Sequence, residues 1–222
     1  LVRWLPSQPV ETIEVSGDFE HLSLEHLHAV LEEQFGHELL KAPLADIQRK
    51  VATLVWVDKV DVRRVWPDKI AVRVTEHKPA FRWRDAAGQQ ALIAESGLMI
   101  WDAFAAGQNE YQALTVLVGE VSGVHVIAEG FAQLKTWLGN GLALTELERT
   151  GYNAWIAVVD GKPVHLGSGL AGNLPDEEAT EKVIAQQRVA RLKTLHAELA
   201  SEWQKVKYLD LRHAGGVAVA WL

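Results

Sequence analysis

Polar and apolar positions alternate through Thr12-Ile13-Glu14-Val15-Ser16-Gly17, and the run ends on a glycine, the pattern of a short strand entering a turn. A helical period follows. Leu24, Leu27, Val30 and Leu31 recur at spacings that fill one helix face behind Ser23, whose hydroxyl suits an N-cap, and Gly36 offers a stop. A second amphipathic helix is predicted from Pro43, with Leu44, Ile47, Val51 and Leu54 on its apolar face. Val55, Val57, Val60, Val62 and Val65 predict an extended stretch whose phase slips at Asp58-Lys59, so a bulge or kink is expected there. Trp66-Pro67-Asp68-Lys69 turns the chain, and Ile70, Val72 and Val74 alternate with Ala71, Arg73 and Thr75 in the hairpin partner. The order strand-helix-helix-strand-strand encloses one core between a small sheet and two helices.

Glu76-His77-Lys78-Pro79 marks the expected boundary, because a residue before proline leaves the helical region and fresh strand signals follow. The reading therefore divides the chain into a domain over 1–78 and a second over 79–222. Phe81 and Trp83, then Ala91-Leu92-Ile93, then Leu98-Met99-Ile100-Trp101 form a meander with turns at Asp85-Ala86-Ala87-Gly88 and Glu95-Ser96-Gly97. Leu114 to Val118 adds a strand, and Phe131, Leu134, Trp137 and Leu138 mark a helix ending near Gly139. Tyr152 to Val159 and Val164-His165-Leu166 flank an Asp160-Gly161 turn. Pro175 opens a long helix with an acidic first turn, a basic Lys193 near its end, and Val183, Val189, Leu192, Leu195 and Leu199 as its buried stripe. Tyr208-Leu209-Asp210-Leu211-Arg212 and Val217-Ala218-Val219-Ala220-Trp221 close the chain as paired strands. The fold class is α+β, a small β-α-α-β-β domain followed by a mixed β-sheet domain with a long helix packed on it.

Composition narrows the chemistry. With 48% hydrophobic residues over 222 positions, the chain has material for a real core. No apolar run reaches the about 18 residues of a membrane span, and a start at Leu1 without methionine leads us to expect a piece of a longer chain from which targeting information has been removed. A formal net charge of -7, with no basic block longer than Arg63-Arg64, argues against nucleic acid and for protein partners. The absence of cysteine removes disulfides, thiolate nucleophiles and cysteine-held metals.

Candidate chemistry is sparse. His26 and His28, two apart, fall on different sides of a helix and read as solvated side chains. Asp58 with Asp61, or Glu177 with Glu178, have nothing in sequence to separate them from surface charge. Leu166-Gly167-Ser168-Gly169 completes neither a phosphate loop nor a nucleophile elbow and reads as a hairpin returning into a loop. Of the nine tryptophans, Trp56, Trp66, Trp83, Trp101 and Trp221 stand in or beside predicted strands and are expected mostly in the core or at the domain junction. No catalytic residue, metal ligand or cofactor site is expected.

Two stretches are more specific. Val60-Asp61-Val62-Arg63-Arg64-Val65-Trp66-Pro67-Asp68-Lys69-Ile70, continuing to Val74-Thr75-Glu76-His77-Lys78-Pro79, and Tyr208-Leu209-Asp210-Leu211-Arg212 through Trp221, together resemble the bacterial cell-division family FtsQ/DivIB. The resemblance implies a polypeptide-transport-associated (POTRA) domain over 1–78 and a C-terminal β domain, displayed in the periplasm behind a single inner-membrane helix. It further implies a non-enzymatic role in septation, binding FtsB and FtsL, with FtsA, FtsK, FtsW and FtsI as further partners.

Carried over by position, Arg212, His213, Gly215, Gly216, Val217, Val219 and Trp221 resemble the edge to which FtsB adds a strand, with Ser168 as a neighbouring loop contact. Val62, Arg64 and Glu76 resemble the POTRA surface linked to recruitment by upstream division proteins. His213 stands where tyrosine is usual, and Ser168 where some relatives have arginine. The competing readings are a POTRA-bearing outer-membrane assembly or secretion component, and a cell-envelope enzyme such as a peptidoglycan hydrolase. The first would continue into further POTRA units or a barrel, and the second needs an organised site.

Overall fold

The computed structural model describes residues 8–33, 35–171 and 176–222. Ser23 starts the first helix as its side chain predicts, its Oγ accepting the His26 N–H at 3.3 Å. Helix α1 (Leu24–Glu32) buries Leu27 and Leu31, and α2 (Leu44–Val51) buries Ile47 and Val51. They cover a three-stranded sheet of β1 (Thr12–Ser16), β2 (Val57–Val65) and β3 (Lys69–Glu76) in the order β1-β3-β2. β1 runs parallel to β3, from Thr12↔Lys69 to Ser16↔Arg73, while β2 and β3 form the expected hairpin. The register of that hairpin shifts between Val57 and Lys59, where the phase slip in the sequence calls for a bulge. Val55 stays exposed, ahead of the strand and outside the alternation the sequence assigned to it. Ile70, Val72 and Val74 meet Leu27, Leu31, Leu39, Ile47 and Val51 in one core, each side chain contributing roughly 1.5–3 kcal/mol by leaving water.

The end of β3 ties this core to the approach into α1. The Glu76 carboxylate accepts the backbone N–H groups of Glu20 at 3.3 Å, His21 at 3.2 Å and Leu22 at 2.8 Å. Three donors depend on one side chain. Glu76→Ala leaves them without that acceptor and is expected to cost about 2 kcal/mol, read as a lower urea midpoint with an unchanged slope.

By contacts, Leu1–Lys78 with Ala94–Trp101 form one compact unit, and Pro79–Ile93 with Asp102–Leu222 form another. The rest of the chain supplies β4 (Pro79–Arg84), β5 (Gln90–Ala94), β6 (Met99–Ile100), α3 (Ala103–Ala106), β7 (Val116–Val118), α4 (Val124–Leu138), β8 (Leu144–Arg149), β9 (Trp155–Val159), β10 (Lys162–Gly167), α5 (Asp176–Glu198), β11 (Val206–Asp210) and β12 (Ala218–Trp221). Their strands make a mixed sheet in the order β12-β11-β10-β9-β8-β7-β4-β5-β6. β4, β7 and β8 are mutually parallel, β8 to β10 alternate, β10 and β11 are parallel, and β11 and β12 are antiparallel. Parallel neighbours need crossovers, and α4 and α5 provide two of them. The α+β architecture, with a small β-α-α-β-β unit and a mixed sheet carrying a long helix, is the one the periodicities predict.

Four details differ from the sequence reading. β8 was not anticipated, because Leu144-Thr145-Glu146-Leu147-Glu148-Arg149 carries charge at alternate positions, yet it lies between β7 and β9 with Leu147 buried and Glu146 paired to Arg84 at 3.2 Å. α4 begins at Val124, well before Phe131, since Val124 and Ile127 extend its buried face. On α5 the buried stripe is Ala185, Val189 and Leu192, whereas Val183 is 52% exposed, so the helix rests on a narrower seam. Trp56 and Trp83 are core residues as expected, but Trp66, Trp101 and Trp221 are about half exposed. Pro175, the expected opening of α5, lies outside the described residues.

Candidate partner-binding edge

β12 is the outermost strand of the mixed sheet, pairing with β11 through Val206↔Trp221, Tyr208↔Ala220, Leu209↔Val219 and Asp210↔Ala218. Among the described residues no strand pairs with its other side. Backbone N–H and C=O groups of alternate residues therefore point outward, a template for any extended chain. The register puts Val219 beside the buried Leu209 and Trp221 beside the buried Val206, so Val217, Val219 and Trp221 share that face. Ala218 and Ala220 share the opposite face with Tyr208, which meets His165 edge-on at 5.7 Å. Trp221 is 47% exposed at the end of the strand.

Helix α5 fixes what surrounds this strand. Arg191 Nη1 donates to the carbonyls of His213 at 3.2 Å, Ala214 at 3.2 Å and Gly216 at 3.3 Å, cradling the β11–β12 turn. One helical turn earlier, Arg188 Nη1 donates to the carbonyls of Leu166 at 3.1 Å and Ser168 at 3.3 Å. Burial, reinforced by Arg191 nearby, pushes the Arg188 guanidinium below its ordinary value. Gly169, at φ 98°, brings the loop so close to α5 that a Cβ there would stand 2.4 Å from the Glu181 carbonyl oxygen. Ser168 and the turn at 213–216 are thus brought to one helix, a relation invisible in sequence.

Beside them, the Asp210 carboxylate takes Arg212 in a fork, with Nε at 2.9 Å from Oδ1 and Nη2 at 2.6 Å from Oδ2, and also accepts the Arg212 backbone N–H at 3.0 Å. The Arg212 fork lowers the Asp210 pKa to about 2 from 3.8. A carboxylate depressed on folding stabilises the fold above its unfolded pKa and loses that contribution as pH falls through the folded one. Asp210→Asn is therefore expected to be less stable than the parent at neutral pH, with the gap closing between pH 4 and pH 2 in urea titrations.

The recruitment candidates are distributed differently. β2 is the other outer strand of the small sheet, and Val62 lies half-buried on it, paired with Val72. Arg64 turns its guanidinium to the carbonyls of Leu39 at 2.7 Å, Leu40 at 3.2 Å and Ala42 at 2.7 Å. Arg64 pairs with Ile70 and Glu76 with Val57, at opposite ends of the hairpin and on the order of 20 Å apart along the strands. Val62 and Arg64 share an edge, and Glu76 does not join them.

A cleft of about 840 Å³ opens at the C-terminal ends of β4, β7 and β8, bordered by Trp83, Glu120, His125 and Arg149. Two of its polar groups serve their own loops: Asp85 accepts the Gln89 N–H at 2.7 Å, and Arg149 donates to Asn153 at 2.8 Å. Among the described residues no group of three or more His, Cys, Asp or Glu is placed to hold a metal ion. Arg188, Arg191, Tyr208 and Asp210 were missed as site residues. The spacing of Arg188 and Arg191 on one helix face was the available signal.

Residues 8–77 match the sequence model of the family described as POTRA domain, FtsQ-type. The chain is 26% identical over 223 residues to the cell division protein FtsQ of Hahella chejuensis, covering 99% of this chain and 72% of that protein. It is 26% identical over 215 residues to FtsQ of Shewanella oneidensis, covering 96% and 74%. Against FtsQ of Xanthomonas campestris the identity is 37% over 95 residues, covering 43% and 31%.

Proposed function

We propose, on the premise that this chain is a cell-division protein with an FtsQ-type POTRA domain, that it works as a non-enzymatic scaffold whose β12 edge takes up an extended strand of FtsB. In this reading FtsL joins through FtsB, and the assembly recruits and controls septal cell-wall synthesis, with FtsW and FtsI as later partners. Recruitment by upstream division proteins such as FtsA or FtsK is linked to the POTRA unit over 1–78 through the edge bearing Val62 and Arg64, while Glu76 acts by holding the approach to α1. The domain over 79–222 carries the strand-accepting edge. Both stand in the periplasm, tethered to the inner membrane by a single helix outside this sequence. Within the described residues no helix is long and apolar enough to cross a membrane.

The observation that carries the proposal is the outer side of β12, unpaired among the described residues, with its turn pinned by Arg191. Main-chain pairing supplies affinity, and neighbouring side chains select the partner. The Arg212, Gly215 and Gly216 backbone shapes the approach, Val217, Val219 and Trp221 offer apolar contact, and Ser168 borders it. His213 contributes its carbonyl to the Arg191 cradle, which is indifferent to the side chain.

A pull-down with the periplasmic segment of FtsB tests this. The intact chain is expected to retain the segment, Trp221→Ala to weaken retention by tenfold or more if the indole is an anchor, and His213→Ala to change it little. Failure of the intact, folded chain to retain the segment overturns the proposal.

A further inference from the structure

The small sheet has one face under α1 and α2 and the other bare. Val60 and Val62 of β2 and Ile70, Val72 and Val74 of β3 turn to the core, so the residues between them point the opposite way. On that outer face Lys59, Asp61, Arg63 and Arg73 are exposed, and Val65, Lys69 and Ala71 are half-buried. β1 adds Thr12, Glu14 and Ser16, all exposed, beside Lys69, Ala71 and Arg73.

The hairpin register spaces the cations. Lys59 pairs with Thr75, Asp61 with Arg73, Arg63 with Ala71 and Val65 with Lys69, so Lys59, Arg73, Arg63 and Lys69 alternate between the two strands. Each step is about 6.6 Å along the strands and about 4.8 Å across them, and the series covers about 20 Å. Cations on the helix side have taken partners: Lys41 pairs with Glu38, Arg49 with Asp46 and Lys50 with Glu33, and Arg64 holds three carbonyls. Among the described residues none of the four on the bare face makes an ion pair. Their carboxylate neighbours are Asp61, opposite Arg73, and Glu14, opposite Ala71, so the face keeps a positive surplus in a chain of net charge -7. Glu25 and Glu32 lie behind it, on α1. The unit is thus polarised, and an anionic plane draws in the sheet face and repels the helix layer.

Shape and an indole select the occupant. The residues between the cations, Ala71, Thr75, Thr12 and Ser16, have short side chains and leave a level face instead of a groove. Trp66, 49% exposed, stands at the hairpin tip between the end of β2 and Lys69. An apolar ring with one N–H suits the headgroup level of a bilayer better than it suits a soluble acidic peptide.

We propose that this bare face docks flat on an anionic phospholipid surface, with Lys59, Arg63, Lys69 and Arg73 on the headgroup phosphates and the Trp66 indole among the headgroups. The inner-membrane tether proposed above would bring such a surface within reach. Docking here is independent of strand addition at β12, so it can succeed or fail whatever the FtsB pull-down returns.

The chain has no cysteine, so a single cysteine can carry an environment-sensitive fluorophore: Thr75→Cys on the bare face, or His28→Cys on α1 as the control. Vesicles of phosphatidylglycerol with phosphatidylethanolamine are compared with vesicles of phosphatidylcholine at low ionic strength. A saturable blue shift is expected at position 75 alone, with the anionic vesicles alone, and it should vanish in about 1 M salt, where the Debye length is ~3 Å. Each surplus cation is worth roughly fivefold in partitioning, so Arg63→Gln with Arg73→Gln should weaken binding at least tenfold. Glu14→Gln with Asp61→Asn should strengthen it by a similar factor, a gain that misfolding cannot produce. No binding to anionic vesicles, equal binding to both kinds, an equal response at position 28, or undiminished binding after neutralising Arg63 and Arg73 each overturn the proposal. So does saturable binding of soluble polyglutamate without vesicle binding, which assigns the face to an acidic protein partner.

Discussion

Proline at Ala218 or at Val219 is expected to lower affinity for the FtsB segment by about 10- to 100-fold. Successive N–H groups along a strand point to opposite edges, so one of these two neighbours donates outward and the other toward β11. Proline at the outward position deletes one donor from the row that a foreign strand reads and leaves the partner's carbonyl unsatisfied, a loss of about 1–3 kcal/mol. At the inward position it breaks a bond to β11 and loosens the strand itself, which also removes the template. Circular dichroism and thermal melts of both variants separate the cases: one keeps the parent's melt and loses binding, the other loses some of each. Unchanged affinity in two folded variants removes β12 as the binding edge.

The largest stability effect is expected at Trp83. It is 1% exposed on β4, and its Nε1–H donates to the Gly119 carbonyl at 3.0 Å, tying that strand to the end of β7. Trp83→Ala removes the indole, leaves a gap beside its register partner Leu117 that rigid neighbours fill poorly, and strands the Gly119 carbonyl. The expected cost is roughly 3–5 kcal/mol, or a fall of about 6–20 °C in Tm for a domain of this size. Trp83→Phe keeps most of the ring volume and should recover more than half of the loss. A Tm within a few degrees of the parent for Trp83→Ala would mean that the surrounding strands close over the gap.

The small unit was largely readable in advance because each of its signals is local. Ser23 caps, Leu27 and Leu31 face inward at helical spacing, and the broken alternation at Asp58 reports a bulge. The sheet over 79–222 was readable only where strands are apolar. β8 escaped because a strand flanked on both sides can present charges on its faces, as Glu146 does toward Arg84, while one residue, Leu147, supplies the burial. Periodicity registers the burial of several side chains and is silent about backbone pairing with strands far along the chain. The terminal edge was legible through the motif around Asp210-Leu211-Arg212. Its supports were harder to read, because the shared helix face of Arg188 and Arg191 signals a pair but not the carbonyls 22 residues away that the pair holds.

Under the strand-addition proposal, those two guanidiniums have a consequence for the β12 edge. They stand three positions apart on α5, so a shift or tilt of that helix carries the Ser168 loop and the 213–216 turn in the same direction. Three residues of helix set their Cα atoms about 4.5 Å apart along the axis, so the loop and the turn are both referred to one rigid element. In the strand-addition reading proposed above, the docking edge and its flanking loop are thereby registered against a single helix, and moving either arginine by one residue should disturb binding more than lengthening either loop.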